Sequence, residues 1–94
     1  MTARLRKPGR RAGFFAYLLE CADGTYYAGA AKDLDERIKR HNAGKGAKYV
    51  RGRTPARLVY ARLYRSLGKA LRAEAGLKKL TRKQKEILVE AHEN

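Results

Sequence analysis

The first sustained apolar run, Phe14-Phe15-Ala16-Tyr17-Leu18-Leu19-Glu20-Cys21, is short and rich in aromatic residues. That length rules out an independent helix and predicts a β-strand covered on both faces. Ala22-Asp23-Gly24 follows, with Gly third, where a three-residue hairpin loop needs a left-handed residue; Gly alone adopts positive φ without a Cβ clash. The chain then returns as Thr25-Tyr26-Tyr27-Ala28-Gly29. Pairing Cys21 with Thr25 sets Leu19 opposite Tyr27 and Tyr17 opposite Gly29. Cross-strand partners share a face, so this register puts Tyr17 and Tyr27 on one surface. A two-residue turn would separate them, because a one-residue slip moves every side chain to the other side of the sheet.

Downstream the period changes. Asp33-Leu34-Asp35-Glu36 reads as a helix start, with Asp33 as cap and Glu36 closing a capping box. The helix is expected to run to about Asn42 and to stop at Gly44. Leu34 and Ile38 form its buried stripe, and Arg37 and His41, four residues apart, share an adjoining face. Residues 43–55 are a Gly-rich, cationic loop. Arg57 to Tyr64 then alternates with the period of a third strand, expected to pair beside the hairpin. Ser66 caps a further helix whose stripe is Leu67, Ala70, Leu71 and Leu77, with Glu74 inside it on the side facing the sheet. Thr81 and Gln84 form another capping box, before a last helix with Ile87, Leu88 and Ala91 on one side. The expected fold is α+β: one small domain at residues 14–94, a three-stranded antiparallel sheet (hairpin plus third strand) flanked by about three helices.

Composition narrows the functional classes. Residues 1–13 hold five positive charges, no acid and little apolar content, which predicts a disordered basic arm. No apolar run approaches the roughly 18 residues of a membrane span, and the basic start leads into a strand, not into the apolar region of a secretory signal. Cys21, the single cysteine, has no internal partner. These features point to the cytoplasm, with association with the nucleoid, and Cys21 reads as a small strand-end hydrophobe. The net charge is +14 in 94 residues, and between Glu36 and Glu74 there are twelve Lys or Arg residues and no acid. Such a surface implies a polyanionic partner. Lys45, Lys48, Arg51 and Arg53 in the loop, with Arg72 beyond it, are the expected nucleic-acid contacts. The loop lacks the Gly-Lys-Ser/Thr ending of a P-loop. Its Tyr49 suits either stacking on a base or covering the core.

Glu74 has two readings from the residues alone. A carboxylate drawn out of water needs a partner, either a structural ion pair with Arg37 or Arg72, or a hard divalent cation.

Phe15-Ala16-Tyr17, then Tyr27-Ala28-Gly29, then Leu34-x-x-Arg37-Ile38-x-x-His41-Asn42, in this order and spacing, resemble the signature of GIY-YIG endonucleases, in particular the small stand-alone bacterial type. The likeness continues through Arg53 and Ala70-Leu71-Arg72-Ala73-Glu74 to Lys78-Lys79-Leu80. Phe15-Ala16 stands for Gly-Ile and Ala28 for Ile, at strand packing positions. The resemblance implies a site of Tyr17, Tyr27, Arg37, His41 and Glu74. In it Tyr17 is the general base or orients the attacking water, Tyr27 supports it, Arg37 holds the scissile phosphate, and His41 contacts the phosphate or helps proton transfer. Glu74 holds Mg²⁺ or Mn²⁺, and Arg53 is a second phosphate anchor. Phenols ionise near pH 10, so Arg37 or a metal-bound water is expected to favour the Tyr17 phenolate. The implied function is a metal-dependent DNA endonuclease acting on branched or unpaired DNA, as a monomer or homodimer. The alternatives are a non-catalytic nucleic-acid-binding module of the same fold, or an RNA- or ribosome-associated protein.

Overall fold

Strand β1 (Phe14–Glu20) lies at the centre of a three-stranded antiparallel sheet, between β2 (Tyr26–Ala31) and β3 (Arg57–Tyr64). Helix α1 (Leu34–Asn42) follows β2, and α2 (Leu67–Lys79) and α3 (Arg82–Glu93) follow β3. The computed structural model describes residues 13–93, so the basic arm expected at residues 1–13 falls, apart from Gly13, outside the described residues.

The hairpin has the expected register. Cys21 N–H donates to Thr25 O at 2.8 Å, Gly24 takes φ 85°, Leu19 pairs with Tyr27, and Tyr17 pairs with Gly29. Cys21 is buried at the strand end, and that burial pushes its thiol pKa up. Because β1 is central and covered on both sides, Ala16, Tyr17, Leu18 and Leu19 are all fully buried. Phe15, Tyr17 and Leu19 pack on one face with Leu34, Val50 and Ala61; Ala16 and Leu18 pack on the other with Ala28, Val59, Leu77 and Val89. Helix α1 and the loop that follows it cover the first face, and α2 and α3 cover the second. A bulge between Leu18 and Leu19 shifts the β3 register, so Leu18 meets Tyr60 and Leu19 meets Leu58.

Local signals set the helix starts. The Asp33 carboxylate accepts from Glu36 N–H at 3.0 Å and the Ser66 hydroxyl from Lys69 N–H at 3.2 Å. Thr81 and Gln84 complete a reciprocal box at 2.9 and 3.1 Å. These bonds satisfy N–H groups that have no partner inside the helix. The long loop is fastened by Asn42: its side-chain amide donates to Ala56 O at 2.9 Å and accepts from Ala56 N–H at 2.7 Å.

Two helix faces differ from expectation. In α2, Leu67 and Leu71 are each 48% exposed; Ala70 and Leu77 are buried, and Ala73 and the C-cap Leu80 are half-buried on the same side. That set follows an i, i+3, i+7, i+10 row, and its alanines let the helix approach a sheet face that itself carries Ala16 and Ala28. In α3, Ile87 is 56% exposed and Ala91 is exposed, while Leu88 and Val89 pack inward. Three consecutive apolar residues, Ile87-Leu88-Val89, span most of a turn, so their order cannot select the buried side.

Truncating the central strand should therefore cost far more than truncating α3 at its exposed position. Leu18→Ala is expected to lose about 2–5 kcal/mol of stability and Ile87→Ala no more than about 0.5 kcal/mol in urea unfolding. A comparable loss at Ile87 would mean that α3 packs by its other side.

Candidate active site

The side chain of Tyr17 points from the central strand toward edge strand β2, where its partner is Gly29. A Cβ at Gly29 would collide with the Tyr17 hydroxyl and lie 2.6 Å from Cζ, so only glycine leaves room for the ring. The phenol ends in a hydrogen bond of 3.0 Å between Tyr17 Oη and His41 Nε2, both side chains being buried. The other ring nitrogen decides the direction of that bond. Ala47 N–H donates to His41 Nδ1 at 3.3 Å, which leaves the proton of the neutral imidazole on Nε2. His41 therefore donates, the Tyr17 oxygen accepts, and the phenol's own proton is not used by His41. Gly46 makes this approach feasible, since a Cβ there would lie 2.9 Å from both Cα and Cε1 of His41.

Electrostatics keep this pair neutral. Burial, assisted by the neighbouring Tyr27 phenol, pushes the Tyr17 pKa up to about 12; the charge and hydrogen bonding of Arg37 pull it down, and Glu74 adds a further upward push. Arg37 thus acts in the expected direction, toward the phenolate. Desolvation outweighs it, however, so the unliganded protein holds a protonated Tyr17 at neutral pH. Burial and the Arg37 charge likewise press His41 below its ordinary 6.5. Arg37 itself is half-buried and donates to Ala30 O at 3.3 Å.

Tyr27 and Glu74 complete the group. The Tyr27 ring meets His41 edge-on at 5.3 Å and stacks on Tyr49 at 6.1 Å, with an interplanar angle of 20°. Glu74 follows Ala70 by one turn on α2 and is close enough for its charge to act on Tyr17. Its carboxylate is paired, but among the described residues the partner is neither Arg37 nor Arg72: Lys78 Nζ lies 2.9 Å from Glu74 Oε2, with side-chain exposures of 58% and 18%. Helical spacing explains the choice, because a Lys four residues after a Glu on the same helix lies directly above it.

The cationic residues separate into two kinds. Lys45, Lys48, Arg51 and Arg72 are exposed, available to a polyanion. Arg53 is engaged: Nε lies 3.0 Å from Asp23 Oδ2, Nη1 donates to Tyr49 O at 2.6 Å, and the guanidinium covers the Tyr49 ring at 4.1 Å. It ties the loop to the hairpin turn and holds Tyr49 in place. Three groups not foreseen from the sequence line a cleft of about 280 Å³ beside Tyr27 and Tyr49: Tyr26, Lys78 and Lys85. The i, i+4 spacing of Glu74 and Lys78 was a visible signal for one of them. Nothing local marked Gly46 and Ala47 as the groups that orient His41.

Among the described residues, no three His, Cys, Asp or Glu side chains gather into a ligand set. A lone half-buried carboxylate still suits Mg²⁺ or Mn²⁺, which take one protein carboxylate and complete their shell with water and phosphate oxygens. A soft-metal site would need several thiolates and imidazoles together, and His41 is the one such donor in this group.

A family model described as the GIY-YIG catalytic domain matches residues 13–87. A UPF0213 protein of Streptococcus agalactiae is 45% identical over 80 residues, covering 85% of this chain and 91% of its own. Another, from Halobacterium salinarum, is 50% identical over 72 residues, covering 77% and 94%. Two solution NMR structures are similar. A UPF0213 protein from Bacillus halodurans shares 48% identity and a TM-score of 0.54 over 84% of each chain. The protein EF2693 from E. faecalis shares 36% identity and a TM-score of 0.58 over 86% of each.

The buried pair predicts a stability profile with two limbs. The unfolded chain takes a proton on His41 at its ordinary 6.5 while the folded imidazole resists, so stability falls as pH drops through 6.5 and below. At the alkaline end the unfolded Tyr17 ionises at 10.0 while the folded phenol keeps its proton to about 12, so stability falls again across that interval. Thermal melts from pH 5 to 11 should show both limbs, and Tyr17→Phe should reduce the slope above pH 10; an unaltered slope would mean that the phenol is not held neutral.

Proposed function

Because this chain belongs to the GIY-YIG family, we propose that it is a divalent-metal-dependent DNA endonuclease, hydrolysing phosphodiester bonds in branched or unpaired DNA during repair or recombination. The observation that carries this reading is the 3.0 Å Tyr17–His41 bond, in which a buried phenol oxygen serves as acceptor beside Arg37 and Glu74.

Hydrolysis requires an activated water, in-line attack at phosphorus, and stabilisation of the charge that develops on the phosphoryl oxygens. Tyr17 is the base in this scheme. Its own proton must first pass to bulk water, and the phenolate so formed then takes the proton of the attacking water as that water's oxygen bonds to phosphorus; the donor bond from His41 Nε2–H and the charge of Arg37 stabilise this phenolate. His41 is thus a positioning donor to Tyr17, with Ala47 holding its tautomer. Tyr27 closes the side of the imidazole and shields His41 from water. Arg37 grips the scissile phosphate through its planar fork of donors. Glu74 would hold Mg²⁺ or Mn²⁺, which when bound would supply positive charge to offset the negative charge developing on the leaving group. Lys45, Lys48, Arg51 and Arg72 supply non-specific attraction to the nucleic-acid backbone, and Arg53 contributes by ordering the loop that carries Tyr49. A DNA substrate would be met in the cytoplasm at the nucleoid; separately, among the described residues no helix is long and apolar enough to cross a membrane.

One observation favours a different reading. Lys78 occupies a carboxylate oxygen of Glu74, as it would in a binding module that has no use for a metal. Cleavage assays with Mg²⁺ or Mn²⁺ on flapped, single-stranded and duplex DNA, and on structured RNA, decide between the two. Tyr17→Phe, Arg37→Ala and Glu74→Gln should each lower cleavage by roughly 10²-fold or more, the scale seen when a group that stabilises the transition state is removed. DNA affinity should change far less. Intact DNA under every condition would leave only the binding module, and a preference for RNA at matched salt would favour the ribosome-associated reading.

The pH profile and the salt dependence give independent checks. Cleavage by a phenolate drawn from a high-pKa phenol should rise about tenfold per pH unit between pH 7 and 9, whereas a flat profile would assign Tyr17 to orienting the water. Replacing Lys45, Lys48 and Arg51 with Gln should flatten the log–log salt dependence of binding by roughly 0.7–0.9 for each phosphate no longer neutralised.

A further inference from the structure

Lys78 takes part in two places at once. Its Nζ holds Glu74 Oε2 at 2.9 Å, and the same side chain lines the cleft formed with Tyr26, Tyr27, Tyr49 and Lys85. The lysine side chain is 58% exposed and the glutamate 18%, so the ammonium is the partner that can leave. An i, i+4 ion pair whose lysine end faces water is modest, and a lysine is a compact point charge on a flexible stem that needs no fixed acceptor plane. A phosphate entering the cleft would meet two ammonium groups, those of Lys78 and Lys85, beside aromatic rings. A cation approaching Glu74 from water must instead displace the ammonium already bound there.

We infer that Lys78 couples the two ligands: it holds the Glu74 carboxylate while the cleft is empty and transfers to a phosphate oxygen when nucleic acid enters, releasing Glu74 for a hard divalent cation. The inference rests on the reading of Glu74 as the metal ligand given above. Its consequence is reciprocal. Whatever factor nucleic acid adds to cation affinity, the cation must add to nucleic-acid affinity. The free protein would then hold its cation weakly, and the metal would be recruited chiefly where a phosphate backbone is in place.

Calorimetric titration of Mn²⁺ into the full chain without DNA tests this directly. Lys78→Gln should bind Mn²⁺ on the order of fivefold or more tightly than the unaltered protein, the lower end of ordinary coupling between sites. Adding Glu74→Gln should abolish that gain, and Lys78→Arg, which keeps the charge, should retain the original behaviour. In a Tyr17→Phe background that blocks cleavage, Mn²⁺ should tighten binding of a fluorescent single-stranded DNA measured by anisotropy, and Lys78→Gln should shrink that enhancement. Equal Mn²⁺ affinity with and without Lys78, or a gain that survives loss of Glu74, overturns the coupling. If Glu74→Gln abolishes cleavage while Lys78→Gln leaves Mn²⁺ affinity unchanged, the nuclease reading stands and the coupling falls. If the Mn²⁺ coupling is present and no substrate is cut, the nuclease reading falls alone.

Discussion

Taking a phenol and an imidazole out of water together is costly unless each satisfies the other, and the architecture of this protein follows from how that is done. Tyr17 sits on the central strand with its ring over Gly29, and its oxygen accepts a proton held by His41 Nε2 at 3.0 Å. His41 comes from the last turn of α1, and its second nitrogen is met by Ala47 N–H from the loop. Sheet, helix and loop are thereby fixed to one another at a polar contact inside an apolar cluster. Two glycines make the close approaches, one beneath the tyrosine and one against the imidazole. The pair is neutral because burial opposes charge on either ring, and it lies beside a guanidinium that acts on both.

Around this neutral centre the charges are arranged unequally. The chain carries +14 overall, yet the site contains one half-buried carboxylate, and that carboxylate is paired within its own helix. Exposed lysines and arginines supply a field that attracts phosphates and that salt screens. Buried or engaged cations do other work: Arg37 tunes the phenol and the imidazole, and Arg53 clamps Tyr49 and Asp23 together. Equal formal charges thus have different roles according to depth, and a count of basic residues does not separate them.

Edge strand β2 is where the two sides of the sheet become one site. Tyr27 faces the His41 side and Tyr26 the side covered by α2 and α3, yet both line the same cleft. Alternation along a strand normally sends neighbours to opposite faces. At an edge, both faces open onto the same solvent, so consecutive tyrosines can serve a single ligand.

The hairpin register, the three strands and the capped starts of the helices were legible in the residues, because each depends on neighbours a few positions apart: a glycine at the end of a three-residue loop, an alternation of period two, a Ser or Thr ahead of a helical run. The presence of Tyr17 and Tyr27 on one face followed from the same short-range geometry. Which side of α2 and α3 packs inward did not follow, since runs such as Ile87-Leu88-Val89 offer an apolar residue to several directions and only the shape of the opposing sheet face selects among them. The protonation state of Tyr17 was likewise decided in three dimensions, where desolvation competes with a charge brought from another element. So was the tautomer of His41, set by a backbone N–H six residues away; the pairing of Glu74 with Lys78, by contrast, follows from i, i+4 spacing within one helix. Local chain geometry is encoded by adjacent residues, whereas burial and electrostatic balance are sums over everything that folding brings near.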